Sequence, residues 1–217
     1  LAAFALGSLD DRLPRGLTWR TKLFGQLIVA LLLVLSRHAS GGQCLALFLI
    51  AVLAQNAANT FDNADGALPA LAALALRTEL PVVGALLGLL PANLLFRRGA
   101  ERVPHCYLGD AGSHVVGILW AATPSAWPVL LLPCADLLRL AVVRLRTGRK
   151  PWQGDRQHLA HRLEARGLPP VAVVLVLVGI ALPSAFAAPD SALHSLGWFL
   201  TLASFLAALG CTPAPRC

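Results

Sequence analysis

Asp10 and Asp11 stand side by side, with Arg12 next to them and Lys22 a short way downstream. Adjacent carboxylates repel, and both stay ionised only beside a cation. Such a pair can bind Mg²⁺ or accept a proton; as two helix-capping acids it would do neither. A second cluster places Asn56, Asn59, Asp62 and Asp65 at intervals of three. On a helix those steps fall on nearly one face, and burying four polar side chains for packing alone is expensive. In the third, Gly109-Asp110-Ala111-Gly112-Ser113, two glycines flank an acid where a helix is expected to start. Small residues there let a phosphate reach backbone N–H groups, although a turn with Asp as the cap has the same composition. The fourth joins Arg149, Lys150, Arg156 and Arg162 to His158 and His161. The histidines, three apart, share a helical face, and Arg suits bidentate contact with phosphate. A zinc site would want a further carboxylate or histidine beside them, so diphosphate binding ranks higher.

Other polar residues point to packing. His114 and Asn93 inside apolar runs suggest interhelical hydrogen bonds. Asp136 and Arg139, three apart, are expected to neutralise each other.

The elements that must position these residues are apolar. Of 217 residues 57% are hydrophobic and 13% charged, and mean hydropathy is +0.68; soluble domains carry roughly 25% charged residues. A bilayer supplies the apolar solvent that such a chain needs. Apolar runs at 23–36, 44–58, 66–77, 80–96, 111–123, 126–145, 169–188 and 193–210, plus a remnant at 1–7, predict an all-α polytopic membrane protein. It would have about eight full spans and the end of a ninth helix. No repeat or linker divides 1–217, so a single domain is expected. A chain that begins at Leu1 and contains no Met is expected to lack upstream sequence at its N-terminus. The cysteines, Cys44, Cys106, Cys134, Cys211 and Cys217, form no CxxC pair, and neither a disulfide framework nor a zinc site is indicated.

Counting one crossing per run puts every Lys and Arg except Arg37 and Arg77 on one side, Arg102 and Arg216 included. The positive-inside rule makes that side cytoplasmic, and it accounts for the net charge of +7 without a nucleic-acid partner. The acids, Glu101 among them, follow the same distribution, with Glu79 and Asp190 as the exceptions. The positive-inside rule does not cover acids. Carboxylates at the ends of apolar runs are costly without partners, and clustered beside basic loops they suit a hard divalent cation carrying a phosphorylated ligand.

The segments GSLDDR, NAANTFDNADG, YLGDAGSHVVG and GDRQHLAHRL, in that order, resemble the polyprenyl-phosphate N-acetylhexosamine-1-phosphate transferases. The likeness is closest to bacterial enzymes that load N-acetylglucosamine-1-phosphate onto undecaprenyl phosphate. The phospho-N-acetylmuramoyl-pentapeptide translocases are similar in the first three motifs but differ in the histidine loop. The resemblance covers about residues 1–168. Asn63 stands where many members carry Gly, Ala67 where Leu is usual, and Ala160 where many carry a further His.

The resemblance implies a Mg²⁺-dependent transferase, with Mn²⁺ as a substitute, in the bacterial cytoplasmic membrane. It would move a sugar-1-phosphate from a UDP-N-acetylhexosamine to undecaprenyl phosphate and release UMP, the first step of a cell-envelope polysaccharide. Asp110 would hold the metal with Asn59. Asp10 and Asp11 would orient or deprotonate the lipid phosphate, with Lys22 neutralising charge beside them. Asn56, Asp62 and Asp65 would serve the nucleotide, and Arg156, His158, His161 and Arg162 the diphosphate. A homodimer stays open, as do the alternatives of a transporter, a lipid flippase or an inactive fragment acting as a scaffold.

Overall fold

The computed structural model describes residues 1–38, 40–98, 103–150, 154–186 and 192–211. Glu101, Arg102, Asp190, Arg216 and Cys217, named above, lie outside the described residues, as do 151–153 of the histidine loop. The chain is all-α: α1 Ala2–Arg12, α2 Trp19–Ser36, α3 Gly42–Phe61, α4 Ala67–Ala75, α5 Leu80–Leu90, α6 Gly109–Ala122, α7 Leu131–Arg146, α8 Leu159–Glu164, α9 Pro170–Phe186 and α10 Ala192–Cys211. A π-turn, Pro91–Leu95, extends α5, and a 3₁₀ segment, Pro124–Leu130, leads into α7. Two residues on each side, Arg97–Arg98 and Val103–Pro104, form a minimal antiparallel ladder between α5 and α6.

Each apolar run of the sequence falls on a helix. Four segments are long and apolar enough to cross a membrane: Trp19–Ser36, Gly42–Phe61, Pro124–Arg146 and His194–Cys211. Leu80–Leu95 and Pro170–Phe186 are shorter apolar helices. With its nine residues, α4 rises about 14 Å, roughly half the hydrocarbon thickness. It is nevertheless almost wholly enclosed, with Leu68, Leu71 and Ala72 at 0% exposure. Other parts of the protein surround it, and a helix enclosed in this way is not held to the length that a lipid-facing span needs.

The distribution of side-chain size reflects the same solvent. In α3 the alanines Ala51, Ala54, Ala57 and Ala58 face inward, while Leu45, Leu49 and Leu53 face outward. Lipid tails are as apolar as leucine, so large side chains gain little by turning inward, and small ones let helix backbones approach. The closest approaches are made by glycines. A Cβ on Gly117 of α6 would lie 2.6 Å from the Gln55 Cα of α3. A Cβ on Gly7 of α1 would lie 2.2 Å from the Asp110 carbonyl oxygen of α6. The helices α1, α3 and α6 therefore meet backbone to backbone.

Gly117→Leu is expected to cost about 1–3 kcal/mol through overpacking, seen as a lower unfolding temperature in detergent. Gly84→Leu, at a position with open space around it, is the control and should not lower it.

Candidate functional site

Four helix ends supply one polar cluster: the C-terminal end of α1, the first turn of α2, the C-terminal end of α3 and the first turn of α6. Lys22 Nζ donates to Asp110 Oδ2 at 2.7 Å and also pairs with Asp10. Asn59 Nδ2 donates to Asp110 Oδ1 and, at 3.1 Å, to Ser113 Oγ. Asp110 is thereby held from α2 and α3 at once. Asp10 also accepts the Leu17 N–H, which folds the 13–18 connection back over it.

Asp11 has a separate task. Its Oδ1 accepts the Asp110 N–H and its Oδ2 the Ala111 N–H, both at 3.0 Å. The first amides of a helix have no intrahelical partner, and a carboxylate there is favoured by the helix dipole as well. Here the cap comes from another helix, 99 positions earlier for Asp110. Asp62, next after α3, accepts the Gly109 N–H. The backbone donors that the glycine motif offered to a phosphate are thus occupied by two carboxylates.

Asp62 carries the electrostatic strain of this arrangement. Burial, and then the charges of Asp110, Asp11 and Asp65, push its carboxyl up to about 7 against the lowering by Gly109. Asp65 is half-buried and contributes through its charge.

Asn56 points elsewhere. Its Nδ2 donates to Gln26 Oε1 of α2 at 2.9 Å and to the Val52 carbonyl at 2.8 Å. Gln55 Nε2 donates to the Gln26 carbonyl at 3.2 Å. Asn56 therefore helps lock α2 to α3.

The histidine loop has its own supports. His158 Nδ1 lies 3.1 Å from Asp136 Oδ2, and Asp136 also accepts Arg139 Nη2 at 2.8 Å. Arg144 Nε donates to Asp155 Oδ2 at 2.8 Å. Burial raises the Asp155 carboxyl, but Arg144 and the Gln157 N–H outweigh it and hold the group below the ordinary range. His161 Nδ1 is 2.9 Å from Glu164 Oε2, and Arg162 Nη2 donates to the Leu209 carbonyl of α10 at 3.0 Å. Arg156 is exposed. The first three motifs converge on Asp110, whereas the described contacts of the fourth run to α7 and α10.

Ser113 and Gln26 were not singled out from the sequence. Ser113 was in reach, because it lies three residues after Asp110 in the same motif; Gln26 stands alone in an apolar run. Asp136, expected to pair with Arg139, also meets His158 Nδ1.

No family model matches the chain. It is 33% identical over 138 residues to the decaprenyl-phosphate N-acetylglucosaminephosphotransferase of Mycobacterium tuberculosis (strain CDC 1551 / Oshkosh), covering 51% of this chain and 32% of that protein. The protein of the same name from Mycobacterium leprae (strain TN) is 32% identical over 121 residues, covering 44% and 29%. A third, from Mycolicibacterium smegmatis (strain ATCC 700084 / mc(2)155), is 28% identical over 225 residues, covering 73% and 53%. The chain thus spans a third to a half of the length of these curated relatives. They carry the type of name that the four motifs implied, and the chain is a multi-pass membrane protein similar in sequence to them over part of its length.

The Asp62 carboxyl titrates near 7 in the folded chain against an ordinary value of 3.8. Between those pH values the folded state binds more protons than the unfolded one, so the Asp62 contribution to stability falls as pH rises. Asp62→Asn should therefore stabilise the protein at pH 8, by about 1 kcal/mol or more, and the gain should shrink towards pH 4. Thermal unfolding in detergent without divalent cations measures it.

Proposed function

We propose that the chain carries the catalytic site of a polyprenyl-phosphate N-acetylglucosamine-1-phosphate transferase. A UDP-N-acetylhexosamine donor would give its sugar-1-phosphate to undecaprenyl or decaprenyl phosphate, with release of UMP. The observation that carries this reading is the convergence of Asp10, Asp11, Lys22, Asn59 and Asp110 from four helices onto one point at the helix ends. The names of the relatives, which share the polyprenyl-phosphate acceptor class, support it. The basic loops on this face support a cytoplasmic orientation in a bacterial inner membrane, and the product would feed cell-envelope polysaccharide synthesis.

The reaction exchanges one phosphoanhydride for another, so the protein must chiefly position two anions and cancel their repulsion. Mg²⁺, or Mn²⁺, would supply charge neutralisation at the phosphates. Among the described residues no group of three His, Cys, Asp or Glu side chains could hold a metal ion. Mg²⁺ needs no such cage, since it commonly takes one or two carboxylates together with substrate phosphates and water. The raised Asp62 carboxyl marks an excess of negative charge that a cation would relieve. Asp110 would hold the ion, assisted by the side-chain oxygen of Asn59. Lys22 anchors Asp110 and Asp10, and Asp10 would orient the acceptor phosphate. Asp11 fixes the start of α6 and with it the direction of Asp110. Asp62 and Asp65 would line the donor side, and Arg156, His158, His161 and Arg162 would receive the diphosphate.

Membranes containing the chain should move labelled UMP into UDP-N-acetylglucosamine when polyprenyl phosphate and Mg²⁺ are present. Asp110→Asn should lower that exchange by at least ~100-fold. Exchange only with a different UDP-N-acetylhexosamine would keep the reaction and change the sugar. Exchange retained by Asp110→Asn would overturn the metal placement.

A further inference from the structure

The part of the site that the sequence explains least is the way the histidine loop is held. Residues 155–159 carry few apolar anchors, yet α7 grips them at three successive points. Arg144 Nε bonds Asp155 Oδ2 at 2.8 Å. Arg139 Nη2 donates to the Gln157 carbonyl. Asp136 Oδ2 meets both His158 Nδ1, at 3.1 Å, and the Leu159 N–H, at 3.3 Å. Asp136 and His158 are 1% and 5% exposed, so bulk water does not compete for these bonds.

An ionised aspartate only accepts hydrogen bonds. With Arg139 Nε and Nη2 donating to Asp136 Oδ1 at 3.1 and 2.8 Å, the carboxylate stays charged, and Nδ1 of His158 must carry the proton. Nε2, on the far edge of the ring, is then the nitrogen left to act. His161 repeats the device, its Nδ1 lying 2.9 Å from Glu164 Oε2. The two rings stand edge to face, with centroids 6.1 Å apart and planes at 72°. Two imidazoles on neighbouring turns, each tied at Nδ1 to a carboxylate, are fixed in orientation.

We propose that Asp136 is a positioning residue that holds His158 by Nδ1 so that Nε2 faces the phosphate groups of the nucleotide sugar. This role rests on the transferase reading above. Asp136 touches no substrate in this scheme; it fixes the tautomer and direction of a side chain that does. A carboxylate behind a working imidazole typically matters by about 10–100-fold, as second partners of metal-bound histidines do. An Asp136 serving only to neutralise Arg139 would leave the His158 ring unaffected by its removal.

The test uses the full chain in membranes or detergent and two readings. The first is the ¹⁵N spectrum of protein labelled at its six histidines, with His158 assigned by H158Q. The parent should show His158 protonated at Nδ1, and D136N should shift that resonance. The second is a double-mutant cycle on kcat/KM for UDP-N-acetylglucosamine. D136N and H158Q should each lower it by about 10–100-fold, and the double variant should be no worse than H158Q. D136E, which keeps the charge and moves it by one methylene, should recover part of the loss, and it carries both readings if D136N fails to fold. A His158 resonance indifferent to D136N, or losses that simply multiply in the double variant, would overturn the proposal. A parent with the expected His158 spectrum but no transfer would instead overturn the transferase reading, and the positioning role with it.

Discussion

Lys22 is the charge on which the candidate site depends. Its ammonium joins Asp10 of α1 to Asp110 of α6 while its own backbone starts the first span. Two carboxylates from different helices could not sit this close at the edge of an apolar bundle without a cation between them. Once they do, Asn59 can reach Asp110 from α3, and the helix ends stay together. The same arrangement leaves Asp62 facing three further carboxylates with a single backbone donor in support. One ammonium therefore gathers the acids without balancing them, the electrostatic condition that a divalent cation and two phosphates would complete.

Close backbone packing turns that ionic contact into a fixed geometry. Gly7 and Gly117 let α1 and α3 touch α6 with no side chain between them, so the donors and acceptors at the helix ends cannot slide independently. At the histidine loop α7 plays the corresponding part, through polar bonds rather than glycine contacts. Its Asp136, Arg139 and Arg144 hold the histidine loop, which has few apolar residues with which to hold itself.

Much of this was legible in the sequence, for physical reasons. Hydropathy located the helices because a bilayer demands long apolar runs. The motif spacing located Asp10, Lys22, Asn59 and Asp110 because polar groups at helix ends in such a chain need a purpose. Three things were out of reach. The first was which residue meets which: Asn56 reads as an equal of Asn59, yet it faces Gln26 on α2, a partner fixed by helix rotation and not by period. The second was division of labour between adjacent residues, as with Asp10, paired to an ammonium, and Asp11, spent on backbone amides. The length of α4 was also hidden, because an enclosed helix escapes the rule that sets the length of lipid-facing ones.

The bond from Asp11 to the start of α6 bridges 99 positions, and its direction along the chain has a consequence for biosynthesis. At about 5–20 residues per second, α1 leaves the ribosome some 5–20 s before the amides it will cap. The acceptor is thus already waiting when its donors emerge. Had the order been reversed, unpaired backbone amides of α6 would have waited for their acceptor at the membrane edge. The polarity of the contact suits the vectorial birth of the chain, because the group that must wait is the one that water can best look after.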